Sequence, residues 1–374
     1  MGALDGVVVL DLSRKLPGPY ASMVLADHGA RVITIEDRRF EADGAFPTLV
    51  HRGKEHMALN LKSGEGRKLF LKLCARADVV MEGFRPGVVE KLGIGYDVLE
   101  KANPGIIFCS ISGYGQKGPW RNRPGHDINY LADSGVLHTM GSPEKPFVPS
   151  VQVADIAGGS MHAVAAISMA LFEREKSGKG QWIDVSITDG CLAMNAISWE
   201  LWQLTGHTPE RAAGILSHRY AFYNIYETKD NGHVAVGALE PHFWKSVCEY
   251  FGVPHFAPLQ FDENEREAMI DFFAGVFAQK SRKAWEEELE PLSLCISTVK
   301  TLPEAVGAKG FKDRGMVVPV AGGGQTFGVP IVMGRTPGAC GGAFEGFGQE
   351  GKKILEELGY GPDEIASLCK EGVV

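Results

Sequence analysis

At 374 residues, with 44% hydrophobic and 22% charged side chains, the chain has room for one large or two moderate domains and an ordinary globular composition. Its 38 Lys and Arg against 46 Asp and Glu give a formal charge of −8, which leaves no basic surplus for general nucleic-acid binding but allows a local phosphate pocket. Met1-Gly2-Ala3-Leu4-Asp5-Gly6 lacks the basic-then-apolar order of a secretion signal and no apolar run approaches membrane-spanning length, so a cytoplasmic protein with no membrane partner is expected.

In chain order, the apolar run Val7-Val8-Val9-Leu10 ending at Asp11 predicts a buried parallel strand. Leu16-Pro17-Gly18-Pro19 turns into a helix with Pro19 in its first turn, and residues 31–36 read as the strand that closes a βαβ-like unit. The turn has no Gly-x-Gly-x-x-Gly spacing and no Walker A loop, which argues against a dinucleotide site. The alternation continues with a helix over 64–76 after Ser63, strands over 78–81 and 106–111, a short helix from Pro86, a long apolar helix over 158–174 that follows Asp155, and a strand over 182–187. A single helix is expected over 190–204. Residues 223–228 and 233–238 around Asp230-Asn231-Gly232 predict a β-hairpin. The tail carries Gly322-Gly323-Gly324 and ends in helices over 349–358 and 363–370. The fold class is therefore α/β, with a large domain over 1–222, a smaller domain over 223–309, and a segment over 310–374 returning to the first. Seven scattered cysteines without Cys-x-x-Cys spacing predict reduced thiols, with no disulfide framework and no metal site.

Gly125-His126-Asp127-Ile128-Asn129-Tyr130 gathers an imidazole, a carboxylate, an amide and a phenol beside a Pro/Gly-punctuated turn. A helix cap with a satisfied imidazole and a catalytic base are both open readings of that stretch. Three basic clusters stand upstream: Arg38-Arg39, Arg52-Gly53-Lys54 with Lys62, and Arg85-Pro86-Gly87 with Lys91. Solvated surface is the ordinary fate of such residues, while their placement at strand ends, where open α/β sheets bind ligands, suits a polyanion pocket.

Taken with Leu16-Pro17-Gly18-Pro19, His51-Arg52-Gly53-Lys54, Leu61-Lys62, Glu82-Gly83-Phe84-Arg85-Pro86-Gly87, Gly113-Tyr114-Gly115-Gln116 and Glu357-Leu358-Gly359-Tyr360, the 125–130 stretch resembles the class III CoA-transferase superfamily, the carnitine dehydratase and bile-acid-inducible protein F group. Within it the chain is most similar to the α-methylacyl-CoA racemase branch, over nearly its whole length. The resemblance implies a Rossmann-like large domain with a parallel sheet, a smaller α+β domain, and an intertwined homodimer. It implies a 2-methylacyl-CoA substrate, with coenzyme A entering as part of that substrate and no separate cofactor.

Three matched positions would carry the reaction: His126, Asp155 in Val153-Ala154-Asp155-Ile156-Ala157-Gly158-Gly159, and Glu240 in Val236-Gly237-Ala238-Leu239-Glu240-Pro241. Inverting an α-carbon needs acid–base groups on opposite faces, so the resemblance places His126 on one face and Asp155 on the other, with Glu240 orienting the imidazole. Backbone N–H groups from Asp155 to Gly159 would meet the enolate oxygen. Arg38, Lys62, Arg85, Lys91 and Arg52 would flank the nucleotide and phosphates of coenzyme A. Leu16, Leu61 and Gly83 would line its path, and Asp127 would be structural or face coenzyme A.

The same Asp155 could serve instead as the nucleophile of a CoA-transferase, forming a mixed anhydride and then an aspartyl-CoA thioester. A nucleophilic aspartate has no need of a glutamate-supported imidazole, which favours the racemase. A non-catalytic CoA-binding protein fits poorly with three acid–base positions. Asp155, Glu240 and His126 could each also be ordinary helix-start residues. Residues 41–51 and 217–222 are less typical of the family and border the expected acyl pocket.

Overall fold

The computed structural model describes residues 1–43, 47–320 and 324–374; Gly44-Ala45-Phe46 within the 41–51 segment, and Gly322 and Gly323 of the glycine run, lie outside the described residues. The chain divides into two compact units. The larger comprises Met1–Val136, Pro149–Asn195 and Lys309–Val374, and the smaller Leu137–Val148 and Ala196–Ala308.

The larger unit is built on a six-stranded sheet: β1 (Val8–Asp11), β2 (Arg31–Glu36), β3 (Glu55–Ala58), β4 (Val79–Glu82), β5 (Ile107–Ser112) and β6 (Trp182–Ser186), in the order β3-β2-β1-β4-β5-β6. Each neighbouring pair is parallel, with Leu10 opposite Ile33 on one side and Val80 on the other. Helices shield the central strands on both faces, so β4 and β5 are buried at every residue. The strand order reverses between β1 and β4, and a doubly wound sheet opens a crevice at that point, beyond the carboxyl ends of its strands. Ser63 Oγ caps the helix Gly64–Cys74 by accepting the Gly66 N–H at 2.9 Å. That helix packs Leu69, Phe70 and Leu73 into one core with Leu10, Phe108, Ile354 and Leu355. The tail returns here through the helices Gly351–Glu357 and Pro362–Lys370, and Asn60 donates its backbone N–H to Val373.

The smaller unit pairs β7 (Tyr223–Glu227), β8 (His233–Gly237) and β9 (Ile296–Thr298) into an antiparallel sheet. Asn231 takes a left-handed φ of 58° in the hairpin turn, a conformation asparagine tolerates well. The helices Pro241–Tyr250, Arg266–Phe277 and Arg282–Leu289 bury Trp244, Phe273, Phe277 and Trp285 together with Phe222.

The structure departs from the sequence reading in four places. The smaller unit starts at Ala196 rather than 223, because Tyr220 and Phe222 belong to its core and Arg211 ties it to Leu137–Val148 through the carbonyls of His138, Ser142 and Pro143. The expected 190–204 helix is two helices, Ile187–Ala193 and Ala196–Thr205, and Asn195 between them donates to the Ser134 carbonyl. β3 was not foreseen, since its four residues Glu55-His56-Met57-Ala58 carry no strand pattern of their own. Ala154–Ser177 is one continuous helical run of 24 residues, long and apolar enough by length and composition alone to cross a membrane, which corrects the expectation that no such run exists. Gly158, Gly159, Ser160 and His162 break it up as a string of letters. In the fold it packs on the helix Pro17–Asp27 and against β5 and β6, with 39% of its most apolar stretch buried.

Candidate active site

A cavity of about 350 Å³ occupies the crevice at the strand-order reversal. Its wall is made by Ser13, Lys15 and Gly18 after β1, Gly83 and Arg85 after β4, Ile111 to Tyr114 at the end of β5, and Ile187 after β6. The 121–126 loop closes the far side with Arg121, Arg123 and His126, and Tyr130 and Asp155 complete it. The sequence-predicted pair, His126 and Asp155, thus shares one cavity with Gly83 and Arg85.

Local structure explains how His126 is presented. It stands immediately before the helix Asp127–Asp133, where its N–H donates to Asn129 Oδ1 at 3.0 Å and its carbonyl accepts the Asn129 N–H at 2.8 Å. These reciprocal bonds fix the backbone and leave the imidazole at the cavity wall. Tyr130, one turn on, donates its hydroxyl to the Gly125 carbonyl at 2.7 Å and meets the Tyr114 ring edge-on. Gly113 and Gly125 are required beside it: a Cβ at either would stand 2.5 or 2.6 Å from the Tyr130 ring.

Asp155 lies in a π-helical turn, Ala154–Ser160, that leads into the helix Met161–Ser177. Burial, and next to it the charge of Asp127, push its carboxyl from 3.8 up to about 6, while His126 pulls the other way. Asp127 accepts the Asp155 backbone N–H on Oδ1 at 2.9 Å. That contact joins residues 28 apart in sequence and makes Asp127 the side chain that orients Asp155. Asp127 lines neither this cavity nor the smaller one below, and its hydrogen bond to the Asp155 N–H is a structural contact. The Asp155 N–H is therefore engaged, and the Ile156 N–H donates to the Gln152 carbonyl at 3.1 Å.

A second cavity, of about 200 Å³, collects Arg38, Arg39 and Lys62 with Asn60 and the chain end Gly372-Val373-Val374, beyond β2 and β3. Arg38 and Lys62 are thus brought together, with Asp37 also on the lining. Leu61 packs against the core of the larger unit, and Leu16 against Met23, Val24 and Val50. Lys91 is exposed on the short helix Val88–Leu92 and lines neither cavity. Arg52 corrects its assignment: it is buried, and its guanidinium grips both oxygens of Asp27, with Nε to Oδ1 at 3.1 Å, and reaches Thr326. Such a paired cation has no face left for a phosphate. Glu240 belongs to the smaller unit, where it is exposed at the position preceding the helix Pro241–Tyr250 and its carbonyl accepts the N–H groups of Phe243 and Trp244.

Sequence reasoning passed over Arg14, Lys15, Arg121 and Arg123, all on the larger cavity. The signal was present, since Arg14-Lys15 follows a predicted strand end and both arginines lie within five residues of His126. Arg123 stacks over Tyr114 and Trp120 and stands 3.5 Å from Asp133. No group of three metal-ligating side chains occurs among the described residues.

The doubly wound sheet thus carries a cation-walled crevice at its reversal, with an imidazole and a raised carboxyl inside it. The chain belongs to CoA-transferase family III, whose model matches residues 4–343, and it is an enzyme of that family. It is 35% identical to the human alpha-methylacyl-CoA racemase over 375 residues, covering 100% of this chain and 97% of that protein. It is also 32% identical over 341 residues to the acetyl-CoA:oxalate CoA-transferase of Acetobacter aceti, covering 86% of this chain and 87% of that one. Among solved structures, a CaiB/BaiF family protein from Brucella suis superposes with a TM-score of 0.84 at 26% identity, covering 96% of this chain and 99% of that one.

Proposed function

We propose that the enzyme inverts the α-carbon of a 2-methylacyl-CoA thioester by proton transfer between two bases. The observation that carries this reading is the presence of His126 and Asp155 in one cavity, close enough for the imidazole charge to act on the carboxyl, with that carboxyl raised to about 6. A carboxyl tuned toward neutrality is suited to exchanging a proton with a weak carbon acid. In one direction the Asp155 carboxylate removes the α-proton, the electron pair passes into the thioester carbonyl to give an enolate, and protonated His126 delivers a proton to the opposite face. In the other direction the two exchange roles.

Coenzyme A enters as part of the substrate, so no separate cofactor is needed. Its nucleotide and phosphates are held by Arg38 and Lys62 in the smaller cavity, and its chain runs past Gly83 and Arg85 toward the bases. A homodimer in the cytoplasm completes the proposal. Supporting it, Met169 and Phe172 on the long helix each leave 66% of their surface exposed, apolar area that a second copy would cover.

The second reading, transfer of coenzyme A between carboxylic acids through Asp155, is favoured by the 32% identity to the acetyl-CoA:oxalate CoA-transferase. Incubating a 2-methylacyl-CoA in heavy water without an acceptor acid separates the two. Racemase chemistry gives deuterium at the α-carbon together with loss of optical purity, and both vanish in His126→Ala and in Asp155→Ala. Absence of exchange, with transfer appearing once an acid is added, would move the assignment to the transferase.

A further inference from the structure

The segment that leaves β1 and runs into the first turn of the helix Pro17–Asp27 gives Ser13, Arg14, Lys15, Pro17 and Gly18 to the larger cavity. It is an improbable conformation to hold unaided. Lys15 has a φ of 71°, in the left-handed region that a lysine enters only when its surroundings over-determine it. A Cβ on Gly18 would lie 2.0 Å from Ser13 Oγ, so the two ends of the segment are already closed on each other.

Beneath it sits a buried polar cluster that the proposed chemistry does not use. Asp11, the last residue of β1, accepts the Ser13 N–H at 2.8 Å and the hydroxyls of Ser13 and Ser22. Lys54, just ahead of β3, buries its side chain completely; its ammonium donates to the Pro19 carbonyl at 2.8 Å and to Ser22 Oγ at 2.6 Å, and lies 3.6 Å from Asp11 Oδ2. Lysine seldom occurs in such a place, because desolvation of the charge is costly. Burial pushes the ammonium down to about 8 despite the opposing charge of Asp11. Lys54 touches neither cavity, yet its partners bracket the walling segment: Asp11 at the end of β1, where the segment starts, and Pro19 and Ser22 on the helix into which it runs.

We infer that Lys54 is a positioning residue of the ligand site, acting through Asp11 and Ser22 to fix the Ser13–Gly18 wall against which the coenzyme A thioester seats. The inference rests on the coenzyme A reading but is indifferent to whether the reaction is inversion or transfer. Removing the ammonium leaves the Asp11 carboxylate buried without its counter-charge, at the point where the segment is tethered. An asparagine at position 11 would restore neutrality and still accept the Ser13 N–H. The two changes should therefore compensate each other.

The test is the affinity of free coenzyme A by titration calorimetry, with KM and kcat for the acyl-CoA, in wild type, Lys54→Met, Asp11→Asn/Lys54→Met and Ser22→Ala. Lys54→Met is expected to weaken coenzyme A and raise KM by about tenfold or more, with kcat of the active fraction nearly unchanged, because a loosened wall loses contacts made equally in the ground and transition states. The double variant should recover most of the loss, and Ser22→Ala, which leaves no charge unpaired, should weaken binding about threefold. A merely structural role would lower the active fraction without moving KM. Should Lys54→Met not fold, a Ser22→Ala protein that binds coenzyme A like wild type would overturn the inference, as would an unchanged KM in Lys54→Met or a double variant no better than the single. A wild-type protein that failed to bind coenzyme A would overturn the functional reading itself, and the inference with it.

Discussion

Asp127→Asn tests the electrostatics of the proposed base without dismantling its geometry. The amide oxygen of the substituted side chain can accept the Asp155 N–H as Asp127 Oδ1 does at 2.9 Å, so the backbone of the π-turn should stay in place. What disappears is the second-ranked cause of the raised carboxyl, the neighbouring negative charge that, with burial, lifts Asp155 from 3.8 to about 6. One pH unit corresponds to about 1.4 kcal/mol between the two protonation states. Burial, the larger cause, is untouched by the substitution, so the change should be about one unit at most. In the direction where Asp155 removes the proton it must be ionised, so kcat/KM rises as pH rises through about 6 in wild type. In the variant that limb should move to lower pH. A full one-unit movement would make the variant roughly fivefold faster than wild type at about pH 5, with little difference near pH 8. The assay is deuterium incorporation at the α-carbon of the favoured antipode, measured as kcat/KM from about pH 4.5 to 8. A limb that stays where it was, or moves up, would refute the reasoning that Asp127 helps set the Asp155 proton affinity and that Asp155 is the base reporting there.

Two further outcomes follow from buried charges. Burial drives the Glu82 carboxyl at the end of β4 from 4.5 up to about 7, against its bonds from Ser110 and the Phe84 N–H. The folded chain then holds this proton more tightly than the unfolded one, so the contribution to stability is complete below about 4.5 and is lost as pH rises through about 7. Glu82→Gln should remove that loss and exceed wild type by roughly 1–3 kcal/mol at about pH 8, read from urea midpoints; a wild-type midpoint that does not fall between about pH 5 and 8 would count against it. Arg52→Met leaves Asp27 buried and unpaired, and should cost about 3–5 kcal/mol in urea unfolding while the folded fraction keeps wild-type affinity for coenzyme A. A selective loss of coenzyme A affinity at full stability would return Arg52 to the ligand site.

What could be read from the letters follows from what kind of signal each feature carries. β1, β2, β4, β5 and β6 are apolar runs or β-branched strings bounded by turns, so their places were predictable to within a residue or two. β3 draws its strand character from pairing with β2, through Ile33 to Glu55 and Ile35 to Met57, which is tertiary information. The basic clusters illustrate the same limit. Arg38, Lys62 and Arg85 reach the two cation-lined cavities, whereas Arg52 and Lys54 in an equally basic stretch are spent on Asp27 and Asp11 beneath the surface. Sequence gives the sign of a charge, and only the neighbours that folding brings to it decide whether that charge meets a ligand.

The acid–base pair shows how the remaining step is made. His126 was conspicuous because imidazole, carboxylate, amide and phenol crowd into one stretch, and Asp155 because glycines follow it at a helix start. Neither letter says that Asp127 holds the Asp155 N–H, yet that bond converts two motifs 28 residues apart into one object. Its effect is twofold, since the same carboxylate that fixes the backbone of Asp155 also raises its proton affinity. A nucleophile for acyl transfer needs to be held in place, and a base for a carbon acid needs in addition a proton affinity near neutrality. Asp127 supplies both to Asp155. Together with an imidazole in the same cavity, that second contribution is the physical reason for preferring proton transfer over acyl transfer at this site.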